Sequence, residues 1–412
     1  MPSVAKPRQT PPWPPSTRAL PPASPRKYPM PADTTAPAPY DPPLKGVRIL
    51  DFSQFLAGPY ASLRLADMGA EVIKVERKGK GDLSRYLYVS NVMIDGESTI
   101  FHAINRGKSS VELDLKQEAD REQILALVDS ADVVIQNFRP GVIERLGLGY
   151  DAVKERKPDI VYGSISGYGS GHDWEKLPGQ DLLAQARSGI MWLSGGATDG
   201  PVALGLPIAD ILAGAALAQG LLALLFRRER TGQGGHIETS LIEAITDLQF
   251  ELLTTYLNDG GILPQRPNNN PAHAYLSAPY GVYKTEDGHI AVAMNDLKHL
   301  CDCLGLEAAF HDLDPFKHRD SIKAELAAHL LNGSTQDWMD AMIKADIWAA
   351  PVMDWNGMMD SGVLQELDMI TPTTRGVESF QTLAAPLRID GTRPRAHGAA
   401  PHLGANNDLL KR

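Results

Sequence analysis

The chain has 412 residues, 43% hydrophobic and 22% charged, with 40 Lys and Arg against 50 Asp and Glu for a formal net charge of −10. That length predicts two domains, or one large core with an excursion. The composition excludes wholesale disorder, and the acidic balance excludes a basic nucleic-acid footprint. Two cysteines, Cys301 and Cys303, exclude a disulfide framework and a four-cysteine zinc site. They point to a reducing compartment: the cytoplasm, or the mitochondrial matrix in a eukaryote.

Residues 1–45 read as a disordered proline-rich tail, with runs such as Pro11-Pro12-Trp13-Pro14-Pro15. Proline removes backbone donors and breaks helices, so this stretch joins neither a sheet nor a packed helix. Lys6, Arg8, Arg18, Arg26 and Lys27 precede any acidic residue, but the stretch lacks the amphipathic pattern of a transit peptide. Met30 is an alternative start.

Strand and helix patterns then alternate. Residues 47–52 predict a strand, 58–68 a helix stopped at Gly69, and 71–76 a second strand. The pattern repeats as strand 111–115, helix 118–128, strand 133–135, helix 142–146 and strand 160–162. Such alternation predicts right-handed crossovers and a mostly parallel, Rossmann-like α/β sheet over residues 46–261. The run 208–226 is nearly long enough to span a bilayer. Asp210 and Gln219 lie inside it, and a buried core helix is the expectation. After residue 262 the texture changes: strands at 280–283 and 289–293 flank the turn Glu286-Asp287-Gly288, followed by helices at 322–331 and 335–344. A smaller α+β domain is expected over 262–350, with residues 351–412 returning to the large domain.

The turn after the first strand, Asp51-Phe52-Ser53-Gln54-Phe55-Leu56-Ala57-Gly58-Pro59, holds one glycine where a dinucleotide loop needs three. Gly232-Gln233-Gly234-Gly235 follows a helix and reads as a turn. No Walker loop, G-x-S-x-G elbow or H-E-x-x-H motif occurs. His299 with Cys301 and Cys303 is a weak metal candidate; thiols at this spacing are more often packing residues, and no metal is expected.

Longer motifs carry more. Gly69-Ala70-Glu71-Val72-Ile73-Lys74-Val75-Glu76, Asn105-Arg106-Gly107-Lys108-Ser109, the run 131–141, Ser164-Ile165-Ser166-Gly167-Tyr168-Gly169 and the run 222–234 occur in order. Together they resemble the class III CoA-transferases, which include formyl-CoA and carnitine CoA-transferases and the related α-methylacyl-CoA racemases. The resemblance covers about residues 46–404. It implies a Rossmann-like large domain, a small domain, an interlinked-ring homodimer, and acyl-CoA with a carboxylic acid as substrates. Coenzyme A is then a co-substrate thioester, with no permanently bound cofactor and no nucleic-acid or membrane partner.

In that family the aspartate at the position of Asp210, within Gly205-Leu206-Pro207-Ile208-Ala209-Asp210, is the nucleophile that forms an aspartyl-CoA thioester. The local sequence adds that Asp210 stands before an Ala/Leu-rich helical stretch. A carboxylate there is expected to be stabilised as an anion by helix N–H groups and the dipole; on position alone the plain N-cap reading comes first, and the family register reverses that order. The related racemases place a His-Asp pair earlier in the chain, where this sequence has Gln180-Asp181. A glutamine amide accepts no proton near neutral pH, so the transferase reading is preferred, with Gln180 orienting the thioester. His172 reads as a loop residue. The resemblance also implies CoA contacts at Leu56, Ala57, Arg77, Leu113, Asp114, Leu115, Lys116, Asn137, Phe138, Arg139 and Arg145. Many relatives carry Leu-Gly-Glu-His near the C-terminus; here the stretch is Leu403-Gly404-Ala405-Asn406, which puts that contact in doubt. Arg187, Arg266 and His273 are candidates to receive a second carboxylate, and succinyl-CoA with a small dicarboxylate is the expected pair. The alternatives are an acyl-CoA racemase and a non-catalytic CoA-binding paralogue.

Overall fold

The computed structural model describes residues 41–87, 92–306 and 311–411. Residues 1–40 of the expected tail lie outside the described residues. Six strands form one parallel sheet: β1 (Arg48–Asp51), β2 (Glu71–Arg77), β3 (Ser109–Leu113), β4 (Val133–Gln136), β5 (Val161–Ser166) and β6 (Gly235–Ser240). Their spatial order is β3-β2-β1-β4-β5-β6. The winding runs outward from β1 one way and restarts at β4 the other way. The crevice between the carboxyl ends of β1 and β4 is therefore a switch point, where such sheets bind ligands.

Both faces of the sheet are covered, which explains why its central strands read as near-continuous apolar runs. Side chains alternate between faces with period two. Ile49, Val72, Val133 and Val161 meet the helices α1 (Ala57–Asp67) and α4 (Ile208–Thr231) on one side. Leu50, Ile73, Val111 and Val134 meet Ile124, Leu127 and Val128 of α2 (Glu118–Asp129) on the other. Gly69 follows α1 with φ +100°, the left-handed stop that the sequence suggested.

The long apolar stretch forms α4, a core helix. Ala209, Ala213, Gly214, Leu217, Leu221 and Leu225 make its buried face at helical spacing. A Cβ at Gly163 of β5 would come within 2.9 Å of the Leu217 side chain, so glycine lets helix and strand close up. Helices α3 (Asp181–Ser188), α5 (Leu241–Asp247) and α6 (Phe250–Asn258) flank this layer. Strand β6 adds to the strands that the sequence pattern predicts: its residues are mostly half-exposed and follow the glycine turn at once, so they show no apolar run.

A separate apolar core, with Tyr283, Ile290, Leu300, Ile322, Leu326 and Met342, joins a three-stranded antiparallel sheet to three helices. The strands are β7 (Gly281–Lys284), β8 (His289–Val292) and β9 (Ala349–Pro351); the helices are α7 (Leu297–Leu304), α8 (Arg319–Leu330) and α9 (Thr335–Lys344). Cys301 lies in this core, the Cys303 thiol faces the Ala341 carbonyl, and the His299 ring meets the Ala345 carbonyl. A hairpin, β10 (Ile370–Arg375) and β11 (Glu378–Leu383), follows. The chain then returns to the large sheet, and Asn406 and Asn407 bind the backbone of Ser110 and Glu112. Asn406 thus protects the edge strand β3.

Candidate active site

Helix α4 starts at Pro207-Ile208, and proline supplies no capping side chain. The carboxylate of Asp181, 29 residues before Asp210, does so instead: its Oδ1 accepts the N–H of Ala209 at 2.7 Å and of Asp210 at 3.2 Å. Its Oδ2 accepts from Gln185 Nε2 at 2.7 Å. The Gln185 amide also receives the Leu204 N–H and donates to the Leu206 carbonyl, tying the approach to α4 against α3. Backbone-to-backbone packing of Gly167 on Gly179, where a Cβ at Gly167 would lie 2.6 Å from Gly179 Cα, brings this segment against the carboxyl end of β5.

This corrects the local expectation for Asp210. It is the third residue of α4 rather than its cap, and the N–H groups of Ala209 and of Asp210 itself are taken by Asp181. The Asp210 carboxylate accepts no hydrogen bond among the described residues. Burial and the neighbouring negative charge of Asp181 push its carboxyl up to about 7. The helix terminus therefore does not hold Asp210 as a relaxed anion. Half-buried and without donors, the carboxylate is basic for its type. Gln180 precedes α3 with an exposed side chain that has no hydrogen-bond partner among the described residues, next to the Asp181 that holds α4.

One turn beyond Asp210, Gly214 touches α1: a Cβ there would stand 2.4 Å from the Ala57 carbonyl oxygen. Asp210 thus belongs to the helix face that meets the start of α1, just after the loop leaving β1. That loop is bound to the β4 exit, because Asn137 accepts the Gln54 N–H at 2.8 Å and donates to the Gln54 carbonyl at 2.7 Å. Leu56, Ala57, Asn137, Phe138 and Arg139 are therefore brought together at the switch point. Arg77 ends β2, in register with Leu113 at the end of β3, and Asp114, Leu115 and Lys116 follow on the same sheet edge. Arg145 ends the short helix Val142–Arg145 beyond β4. Arg77, Lys116, Arg139 and Arg145 are exposed and have no ion-pair partner among the described residues, as cations free for phosphates would be. The Leu113 side chain lies in the core, which leaves only its backbone for a ligand.

Two acceptor candidates are committed elsewhere. The buried Arg266 guanidinium is consumed by the carbonyls of Ser194, Asp199 and Gly200, and His273 Nδ1 receives the N–H groups of Tyr275 and Leu276. Arg187 stays exposed on α3, its guanidinium over the rings of Tyr168 and Trp174. His172 is bound within its loop. Among the described residues no cluster of three metal-ligating side chains occurs.

Exposed cations thus follow the carboxyl edge of the parallel sheet, and the Asp181–Asp210 carboxylate pair stands where α4 meets the start of α1. The chain belongs to CoA-transferase family III, which matches residues 44–407, and it is a CoA-transferase. A succinyl-CoA:mesaconate CoA-transferase of Haloarcula hispanica is 34% identical over 87% of this chain and 93% of its own. A succinate–glutarate CoA-transferase of Agrobacterium fabrum is 33% identical over 76% and 80%. The crystal structure of a CAIB/BAIF family protein from Brucella suis superposes with a TM-score of 0.80 at 28% identity, covering 90% of this chain and 99% of that one.

Proposed function

We propose that the enzyme moves CoA from succinyl-CoA to a small dicarboxylic acid through an aspartyl-CoA thioester on Asp210. The observation that carries this reading is the half-buried Asp210 carboxylate, without hydrogen-bond donors and raised in pKa, one turn from the α1 contact. An Asp210 oxygen attacks the thioester carbonyl, the C–S bond breaks, and CoA leaves as a thiolate. The thiolate attacks the aspartyl carbonyl of the mixed anhydride and expels the donor acid, leaving aspartyl-CoA. The acceptor carboxylate repeats the sequence in reverse: it displaces CoA thiolate, which then attacks the new acyl carbon and frees Asp210. Gln180, unpaired and next to Asp181, orients the thioester through its amide. Asp181 holds the first turn of α4 and keeps Asp210 basic.

The CoA phosphates lie along the carboxyl edge near Arg77, Lys116, Arg139 and Arg145, with Leu56, Ala57, Asp114, Leu115, Asn137 and Phe138 lining the way to Asp210. The activities named for the mesaconate and glutarate relatives favour a dicarboxylate acceptor, and Arg187 is the remaining candidate for its distal carboxylate. The separate third core supports a small domain over 262–350, between a large domain at 46–261 and its C-terminal return. The working form is a cytoplasmic homodimer. Helix α6 supports the dimer, since it buries none of its residues and exposes Phe250, Leu253 and Leu257 on one face.

Mass spectrometry of succinyl-CoA with a panel of carboxylic acids tests the function. Product CoA esters should appear for dicarboxylates, and hydroxylamine added after the donor should label the peptide containing Asp210. Asp210→Asn should abolish both while CoA still binds. A labelled Asp181, or near-parent rates in the variant, refutes the assignment.

A further inference from the structure

Beneath the loop that leaves β1 lies a set of buried charges that the proposed chemistry does not use. The side chains of Asp51, Lys74 and Lys108 are closed to solvent, and that of Asp82 is 1% exposed. Both lysines come from motifs that carry the family resemblance, residues 69–76 and 105–109. Lys108 Nζ binds Asp51, the Pro59 carbonyl, Ser62 Oγ and Asn105 Oδ1, which fixes the first turn of α1 to the end of β1. Lys74 acts on the loop itself: its Nζ donates to the Ser53 carbonyl at 2.8 Å and pairs with Asp82 Oδ2 at 2.7 Å. Asp82 Oδ1 in turn accepts the Phe55 N–H at 3.1 Å, and the Asp82 N–H is held by Glu76.

With Asp51 on the Ser53 N–H and Asn137 on both groups of Gln54, side chains from outside the loop hold every backbone polar group from the Ser53 N–H to the Phe55 N–H. The clamp has something to hold. Phe55 sits at φ +63°, a left-handed conformation that an aromatic residue adopts only under constraint, and the residue is 47% exposed. Leu56 and Ala57 follow directly, and the Ala57 carbonyl is the group that Gly214 touches one turn from Asp210. A buried ion pair is a poor source of net stability, so a role in fixing shape accounts for it better.

We propose that Asp82, supported by Lys74, is a positioning residue for CoA transfer: by clamping the Phe55 N–H it holds the strained turn that sets the start of α1, and the thioester lying there, against Asp210. This rests on the reading of Asp210 as nucleophile, and the test separates the two.

Two double variants remove both buried charges and so leave none unpaired. Lys74→Met/Asp82→Asn keeps a carbonyl for the Phe55 N–H; Lys74→Met/Asp82→Ala does not. The Asn form should retain kcat within a few fold. The Ala form should lose about tenfold or more in kcat, with a smaller change in the KM for succinyl-CoA, because a small misplacement of reacting atoms is felt mainly in the chemical step. In hydrogen exchange the Phe55 amide should be protected in the parent and the Asn form and exposed in the Ala form. Equal kcat in the two folded variants overturns the proposal, as does rapid Phe55 exchange in the parent, a measurement that needs no variant to fold. If Asp210 is not labelled in the parent while Phe55 remains protected, the nucleophile reading fails and the clamp on the turn stands as geometry.

Discussion

At the scale of single residues, the decisive relation is between two carboxylates. Asp181 spends its lone pairs on the first turn of α4 and on Gln185, and its charge faces an Asp210 that has no donors of its own. Burial first, and then this neighbouring charge, raise the Asp210 carboxyl from an ordinary carboxylate to about 7. Its carboxylate form grows as pH rises through that value, so kcat for transfer should climb between about pH 6 and 8 and level off above. Asp181→Asn keeps an oxygen for the helix N–H groups but removes the charge, so the midpoint should move to lower pH. A midpoint that stays put would separate Asp181 from the tuning of Asp210. The same shift has a sign for stability. A carboxyl that titrates higher folded than unfolded binds extra protons in the folded state between about pH 4 and 7, so the parent loses stability as pH rises across that window. Asp210→Asn should therefore match the parent near pH 4 and exceed it at pH 8, by about 2 kcal/mol given that water still reaches the group. Thermal melts of both proteins at the two pH values check this.

At the scale of elements, Gly214 decides how closely α4 approaches α1. Alanine is the better helix former by about 1 kcal/mol, yet here its Cβ would fall 2.4 Å from a backbone oxygen that cannot turn aside. Gly214→Ala should therefore destabilise by roughly 1–3 kcal/mol and lower kcat as Asp210 shifts against the α1 start. A gain in melting temperature with unchanged kcat would show that the contact is loose. Elements are also where the sequence was most legible. The alternation from residue 47 to 162 marked five of the six sheet strands, since central parallel strands are apolar on both faces and Gly69 is a plain stop. Strand β6 escaped because an edge position tolerates His236, Glu238 and Thr239. The capping of α4 escaped because its partner stands 29 residues earlier, beyond any local pattern. The clamp did leave a signal: Lys74 inside Val72-Ile73-Lys74-Val75 breaks an apolar run that a doubly covered strand should not break without a buried partner.

At the scale of the whole molecule, the described chain leaves apolar surface that its own packing does not use. Phe250 and Leu257 of α6 are 68% and 70% exposed, and Leu263 beyond the helix is 73% exposed. Behind α6 lies a cavity of about 840 Å³ lined in part by Trp192, Leu252, Tyr256, Leu263 and Tyr275. A face of this kind gains nothing by meeting solvent, whereas a second copy covering it would bury several large side chains at about 25 cal/mol per Å². Sedimentation equilibrium should therefore give about twice 44.7 kDa at micromolar concentration, and the denaturant midpoint should rise with protein concentration, as mass action requires of a dimer whose subunits fold together. Phe250→Glu/Leu257→Glu places two like charges on the face and should shift the population toward monomer or lower that midpoint. A chain beginning at Asp41, which keeps the packing of Pro42 against Gly69, should sediment and melt like the parent. A parent that sediments as a 44.7 kDa monomer, with a midpoint independent of concentration, would leave the α6 face without the partner assigned to it.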